Sequence, residues 1–182
     1  LMMEGYEADD LLGTAAKKSE EAGVDAVIVS GDRDLLQLAT EKIMIRMPKT
    51  KRGVTEIENY HAQDVKDAYQ VTPSQIIELK ALMGDASDNI PGVPGIGEKT
   101  ATNLIVAYGT IENAYAHVEE IKPNRAKEAL KNHYDMAKMS KELATICLEA
   151  PLTLSFEDAR LTNLYTPEAY EWCRKLNFKK LL

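Results

Sequence analysis

Cysteine is scarce in this sequence: Cys147 and Cys173 are the two present, and neither belongs to a Cys-x-x-Cys pair. That argues against a disulfide framework and makes a reducing compartment the expectation. Histidine is equally thin, with His61, His117 and His133 scattered over helical segments. No apolar run approaches the ~20 residues that cross a bilayer, so no membrane partner is expected. Positive charge is in deficit too: 22 Lys and Arg against 29 Asp and Glu leave a formal net charge of −7. Such a balance argues against a nonspecific polyanion binder, unless many of the acids are gathered in one metal site. No signal peptide, repeat or low-complexity segment is visible. What remains, 45% hydrophobic and 28% charged over 182 residues, describes a soluble globular protein of one domain or two small ones.

Leu1-Met2-Met3 reads as the second half of a buried strand that has lost its beginning, and the chain is accordingly read as a fragment. Gly5 breaks that strand and a helix opens at Tyr6-Glu7. Ala8, Leu11, Leu12, Ala15, Ala16 and Ala22 form its apolar face, and Gly23 stops it. The β-branched run 24–30 has the pattern of a strand covered on both faces, so a βαβ unit and a parallel sheet follow. Gly31 then turns the chain, and Asp32-Arg33-Asp34 falls just past the strand's carboxyl end. A short apolar helix over 35–38 precedes a strand at 43–47 and its hairpin partner at 54–57. The turn between them, 48–53, is basic (Lys49, Lys51, Arg52) and reads as a solvated tip. Beyond it the spacing predicts helices over 61–69, 73–83, 98–108, 111–118, 123–133 and 135–148. Thr72, Pro73 and Ser74 mark a helix start and a domain boundary, giving a sheet-bearing part over 1–72 and a helical part over 73–182. The tail has an extended piece at 152–156 and a helix over 167–176 whose Trp172 is expected in the core; it is read as packing back on the sheet-bearing part.

Three acidic groups stand out: Glu7, Asp9 and Asp10 at a helix start, Asp32 and Asp34 after a strand, Asp85 and Asp88 in the stretch MGDASDNIPGVPGIGEKT at 83–100. Singly, acids in a first helical turn complement the helix dipole, and aspartates in loops satisfy backbone groups. Together they read differently, because ligands of an open parallel sheet collect outside the carboxyl ends of its strands, where the first two groups are delivered. Two carboxylates ~5 Å apart repel by roughly 3 kcal/mol at an effective dielectric near 20, so several in one cleft need cations. All the candidate ligands are hard oxygens, which favours Mg²⁺ or Mn²⁺ over zinc.

The second half of the same stretch is a Pro/Gly hairpin. Gly92, Gly95 and Gly97 allow tight turning, Pro91 and Pro94 fix φ, and Ile90, Val93 and Ile96 anchor the loop to helices on either side. The N–H groups of Gly95, Gly97 and the following helix start are expected to face outward as a phosphate cradle, with Lys99 and Thr100 as further donors.

EGYEADDLLG, VSGDRDLLQL and MGDASDNIPGVPGIGEKTA resemble the three signature blocks of the 5′ nuclease (flap endonuclease) family, most closely its 5′–3′ exonuclease branch in bacterial DNA polymerase I. The likeness runs through the closing NFKKLL. It implies a partial Rossmann-like (PIN-like) α/β nuclease core followed by a mostly α-helical subdomain with a helix-hairpin-helix element. It implies that Glu7, Asp9, Asp10, Asp32, Asp34, Asp85 and Asp88 are metal-cluster acids holding two Mg²⁺ or Mn²⁺ ions, and that Gly92, Val93, Gly95, Ile96, Gly97, Lys99 and Thr100 grip duplex DNA, with a K⁺ ion on backbone carbonyls. The implied substrate is double-stranded DNA with a 5′ end or 5′ flap, cut by a monomer in the bacterial cytoplasm, with a polymerase domain in the same parent chain. The family's further aspartates and its basic helical arch belong to an N-terminal third that this sequence does not contain, so weak or no cleavage is expected of these residues alone. Two rival readings remain: a non-catalytic duplex-binding module whose acids are structural, and a phosphatase of the haloacid dehalogenase type suggested by Asp-x-Asp after a strand.

Overall fold

A computed structural model describes residues 2–51 and 53–181. The chain divides into two compact units, Leu1–Leu152 and Thr153–Leu182.

The first unit begins with α1 (Ala8–Glu21), whose start is closed by a reciprocal box: the Glu7 N–H donates to Asp10 Oδ2 at 3.0 Å. The helix ends before Gly23, which takes the left-handed φ of +76°. β1 (Ala26–Val29) pairs in parallel with β2 (Ile43–Lys51), Ala26 opposite Ile43 and Val29 opposite Arg46. β2 in turn pairs antiparallel with β3 (Val54–Tyr60), giving a three-stranded sheet in the order β1-β2-β3. A 3₁₀ turn, Asp34–Leu38, carries the chain from β1 toward β2 and drives Leu35 and Leu36 into the core.

Three expectations about the sheet need correction. Met2 and Met3 lie in no strand and Met2 is 98% exposed, while Leu1 is outside the described residues. β1 is covered on one face only: Ile28 is buried, but Val27 and Val29 are more than half exposed. Its apolar run marks β propensity here, and two-sided burial does not follow from it. The hairpin turn is shorter than 48–53, because Pro48 sits inside β2 opposite Ile57. β2 outruns β1 after Arg46, so at Pro48 it has a neighbour on one side only and the missing N–H costs no ladder bond there. Of the basic tip, Lys49 is held by Glu58 and Tyr60; Arg52 and the Lys51 side chain lie outside the described residues.

The helices follow as α2 (Ala62–Tyr69), α3 (Pro73–Met83), α4 (Glu98–Tyr108), α5 (Ile111–Ala116), α6 (Asn124–Asn132) and α7 (Tyr134–Ala144), with a 3₁₀ turn Val118–Glu120 after α5. α3 is the central one, packing against the 3₁₀ turn after β1, α4 and α7. It buries Ile76, Leu79, Ala81 and Leu82 together with two charges, Glu78 and Lys80. Glu78 accepts the Ile111 N–H at 3.0 Å and pairs with Lys141 at 2.6 Å, so its charge is neutralised where it is buried.

α7 stops at Ala144 and not at 148, because the next residues run extended along α1 and the 3₁₀ turn. Gln37 brackets that segment, donating to Ala144 O and accepting from the Ile146 N–H, both at 3.0 Å. Gly13 makes room for it: a Cβ there would stand 2.7 Å from Leu148 Cδ2. Asp10 Oδ1 accepts the Cys147 N–H at 2.8 Å, and Thr14 Oγ1 accepts the Ala150 N–H at 3.1 Å.

The second unit contains α8 (Pro167–Lys175), started by Thr166, whose hydroxyl accepts the Ala169 N–H at 3.1 Å. The piece at 152–156 enters no sheet, and Trp172 is 61% exposed with Lys175 over its ring, not a core residue. Among the described residues no helix is long and apolar enough to cross a membrane.

Candidate metal centre and nucleic-acid interface

The start of α1, the loop after β1 and the loop after α3 converge on one cleft. A cavity of about 380 Å³ is lined by Glu7, Ala8, Asp9, Asp32, Asp34, Asp88, Ile90 and Leu143. A more open one beside it is lined by Gly31, Asp32, Arg33, Asp34, Asp85 and Ser87, so Asp32 and Asp34 border both. The 3₁₀ turn explains their shared position: Asp32 Oδ1 accepts the Asp34 N–H at 3.0 Å, a local turn that fixes both carboxylates just beyond β1. Asp85 and Asp88 are set by a tight loop closed by a two-residue bridge, in which Asp85 and Ile90 exchange N–H···O bonds of 2.9 and 2.8 Å. Asp85 Oδ1 takes the Ser87 N–H at 2.9 Å and also the Ser87 hydroxyl.

One oxygen each of Asp34, Asp85 and Asp88 lie within 4.8 Å of one another. Lys80 from α3 stands among them, bonded to Asp34 Oδ1, 2.7 Å from Asp85 Oδ2 and 3.5 Å from Asp88 Oδ2, with its side chain 6% exposed. Lys80 and the hydroxyl of Ser87 hold the Asp85 carboxyl down at about 2, while burial pushes Asp34 up against the opposing pull of Lys80. Lys80 was not singled out by sequence pattern, because it falls within the apolar run of a central helix.

Asp9 is driven up to about 6, by burial first and then by the charges of Asp32, Asp34, Glu7 and Asp10. Asp10 is placed differently from its neighbours. Both its oxygens accept backbone N–H groups, from Glu7 and Cys147, and it does not line the cleft.

The raised Asp9 gives a signed prediction. Its folded value lies above the 3.8 of an ordinary carboxyl, so the folded chain binds a proton that the unfolded chain has released. The stability that this proton confers is full below the unfolded value and is lost as pH rises through about 6. Asp9→Asn is therefore expected to raise the melting temperature of the metal-free chain at about pH 8, with the gain largely gone at about pH 4. A shift that did not vary with pH, followed by circular dichroism, would count against this electrostatic reading.

The hairpin 90–97 leaves the same loop. Ile90, Val93 and Ile96 are buried, as is Gly92, whose N–H donates inward to Ser140 Oγ at 3.0 Å. The Gly92 N–H and the side chains of Val93 and Ile96 therefore point inward and fix the hairpin. Gly95, Gly97 and Lys99 are exposed and Thr100 is partly so. The N–H groups of Gly95, Gly97, Glu98 and Lys99 have no acceptor among the described residues, whereas that of Thr100 is spent on Gly97 O at 3.0 Å. Arg125, in the first turn of α6, lies over Gly95: a Cβ on that glycine would sit 3.6 Å from Arg125 Nε and 3.7 Å from Nη2. Arg125 is exposed and has no carboxylate partner among the described residues. An arginine thirty residues from the glycine it covers gives no signal at the hairpin itself.

An acid-lined cleft at the end of a parallel strand pair, joined by one loop to a glycine hairpin, is the arrangement of a nuclease core with a helix-hairpin-helix. Residues 1–70 match the family described as 5'-3' exonuclease, N-terminal resolvase-like domain, and residues 71–166 match 5'-3' exonuclease, C-terminal SAM fold. The chain thus belongs to the 5′-3′ exonuclease family. It is 46% identical to DNA polymerase I of Bacillus caldotenax over 180 residues, and 43% identical to DNA polymerase I of Bacillus subtilis (strain 168). Each alignment takes in 99% of this chain and 20% of the relative, so the chain spans about a fifth of the length of the curated relatives it matches. Among solved structures, T5 5'-exonuclease with bound zinc superposes with a TM-score of 0.70 at 27% identity, covering 81% of this chain and 52% of that one. A T5 D15 flap endonuclease variant in a pseudo-enzyme-product complex with DNA and metal ions gives 0.68 at the same identity and coverage.

Proposed function

We propose that this chain carries the metal centre and duplex grip of a 5′-3′ exonuclease and 5′-flap endonuclease that hydrolyses DNA phosphodiester bonds in replication and repair, within a monomeric bacterial DNA polymerase I acting on nucleoid DNA in the cytoplasm. The observation that carries it is the convergence of Glu7, Asp9, Asp32, Asp34 and Asp88 on one cleft, with Asp85 beside them, on the loop that leads into the hairpin. Convergent carboxylates with a perturbed Asp9 mark a site under electrostatic load, which structural acids at helix starts do not require. The phosphatase reading finds no use for the hairpin.

The donor set fits hard divalent ions. It is all carboxylate oxygen, and its Asp34–Asp85–Asp88 part already holds a cation in the form of Lys80. Held there, Mg²⁺ or Mn²⁺ supplies charge neutralisation at the phosphoryl group and Lewis acidity toward the attacking water and the departing 3′-oxygen. The chain's own residues do the rest. Asp32 and Asp34 border both cavities and would be among the residues that hold the ions there. Asp10 keeps Glu7 and Asp9 oriented by tying the helix start to the 147 segment. Arg33 has no carboxylate partner among the described residues and faces the open cavity, where it meets a phosphate.

In the grip, the free N–H groups of Gly95, Gly97, Glu98 and Lys99 cradle one phosphate of the duplex, with Lys99, Thr100 and Arg125 around it. The carbonyls of Pro94, Gly95 and Ile96 accept no hydrogen bond among the described residues and suit a K⁺ ion. Such contacts read backbone geometry, not base sequence. Arg125→Ala is expected to weaken duplex binding about 5- to 10-fold at low salt and to lower the slope of log K against log salt by about 1, for any sequence. Fluorescence anisotropy with duplexes of two unrelated sequences tests it; affinity and salt slope equal to wild type would remove Arg125 from the grip, and no duplex binding by the wild-type chain would remove the grip.

A further inference from the structure

Lys80 calls for an explanation of its own. It occupies the inner side of α3 among Leu79, Ala81 and Leu82, a place where a lysine is costly unless its charge is matched. Its ammonium is matched three times over, by Asp34 from the 3₁₀ turn and by Asp85 and Asp88 from the loop after α3. A cluster meant only to hold metal has no need of an internal cation, and a structural lysine has no need of three acids drawn from a cleft. Its ammonium lies within 3.5 Å of one oxygen of each of these three acids, which bring carboxylate oxygens within 4.8 Å of one another. A cation there does for the metal-free chain what a divalent ion does for the loaded one: it keeps mutually repelling acids assembled.

We propose that Lys80 is a resident counter-cation of the Asp34–Asp85–Asp88 group, and that its ammonium and a divalent ion are alternative occupants of that group, so that ion entry moves Lys80 off the carboxylates. This rests on the reading of these acids as ion ligands. Lys80 is then a positioning residue. It preassembles the cluster before the ion arrives, at the expense of ion affinity, because every ion that binds displaces a paired ammonium.

Two measurements on the full chain test it, with Mn²⁺ as the probe. Isothermal titration is expected to show Mn²⁺ binding at least ~10-fold tighter in Lys80→Met than in wild type, since the competitor is gone. The variant's melting temperature falls without Mn²⁺ and recovers with it, which a merely structural lysine would not do. In the wild-type chain, acetylation of Lys80 by acetic anhydride, read by mass spectrometry, is expected to be slow without Mn²⁺ and to quicken with it, while the exposed Lys122 is unchanged. The labelling decides the matter even if the variant does not fold. Affinity in Lys80→Met equal to or weaker than wild type, or Lys80 labelling that Mn²⁺ leaves slow, overturns the proposal and leaves the metal reading standing. Mn²⁺ uptake by neither protein overturns both.

Discussion

Asp34→Asn is expected to weaken Mn²⁺ binding at least ~10-fold, the low end of what even an outer-shell partner of a metal site contributes. Asp34 borders both cavities of the cleft, and one of its oxygens belongs to the three that lie within 4.8 Å of one another. Asparagine keeps the shape and loses the charge. The substitution also removes one of the three partners of Lys80, but Asp85 at 2.7 Å and Asp88 at 3.5 Å remain. The fold is therefore expected to survive, with a loss of about 1–3 kcal/mol for the weakened buried contact. Circular dichroism separates the two effects: a folded protein with poor Mn²⁺ affinity fits an ion ligand, and an unfolded one fits a purely structural acid. Asp25, an exposed acid just before β1 and away from the cleft, is the control, and Asp25→Asn is expected to leave Mn²⁺ affinity unchanged.

Gly92→Ala is expected to be the most damaging single methyl group in the chain. Gly92 has φ +62°, and a Cβ there would stand 2.2 Å from Gly84 N and 2.6 Å from Met83 C, backbone atoms that cannot swing aside. Gly84 returns the crowding, since its own Cβ would lie 2.7 Å from Ile90 O. The two glycines let the end of α3 and the start of the hairpin cross backbone to backbone, which sets the spacing between Asp85 and the grip. Left-handed strain of about 1–2 kcal/mol and overpacking of about 1–3 kcal/mol together predict a loss of roughly 2–5 kcal/mol. At this chain length that lowers the melting temperature by roughly 5–15 °C. Gly95→Ala is the contrast: φ is +90°, but the nearest atoms are the flexible tip of Arg125, so only the strain applies. Equal losses at the two positions would show that crossing geometry is not what Gly92 provides. Duplex binding measured on the surviving folded fraction of Gly92→Ala is expected to fall as well, because its N–H anchors the hairpin to Ser140.

The residues that announce themselves locally were placed well by sequence reasoning, and those whose partners are distant were not. α3 begins at Pro73 behind Thr72 and α4 begins behind Gly97, both start signals written in adjacent residues, and both helices run to the expected ends. The acids stood out because each group sits at the end of an element: Glu7, Asp9 and Asp10 at a helix start, Asp32 and Asp34 after a strand, Asp85 and Asp88 in the loop after α3. That Asp10 differs from Asp9 was not, since its second partner, the Cys147 N–H, is 137 residues away. The same distance hid the end of α7, where Ile146 and Leu148 leave the helix to fill the space over Gly13. Lys80 was masked by the apolar residues around it, and Trp172 was taken for core on hydrophobicity alone although its helix exposes it. The apolar run of β1 likewise could not say that one face lies open. Long-range pairing, in each case, decided what local pattern left undetermined.

The wild-type arm of the first experiment is the most direct measurement: a ¹⁵N NMR titration of the chain with Mn²⁺, mapping paramagnetic broadening onto the backbone amides. Selective loss of the amide signals at Asp9, Asp32, Asp34, Asp85 and Asp88, with those of α6 retained, is the predicted result. Broadening spread evenly over the exposed acids, or confined to acids outside the cleft such as Glu119, would contradict a metal centre at this site.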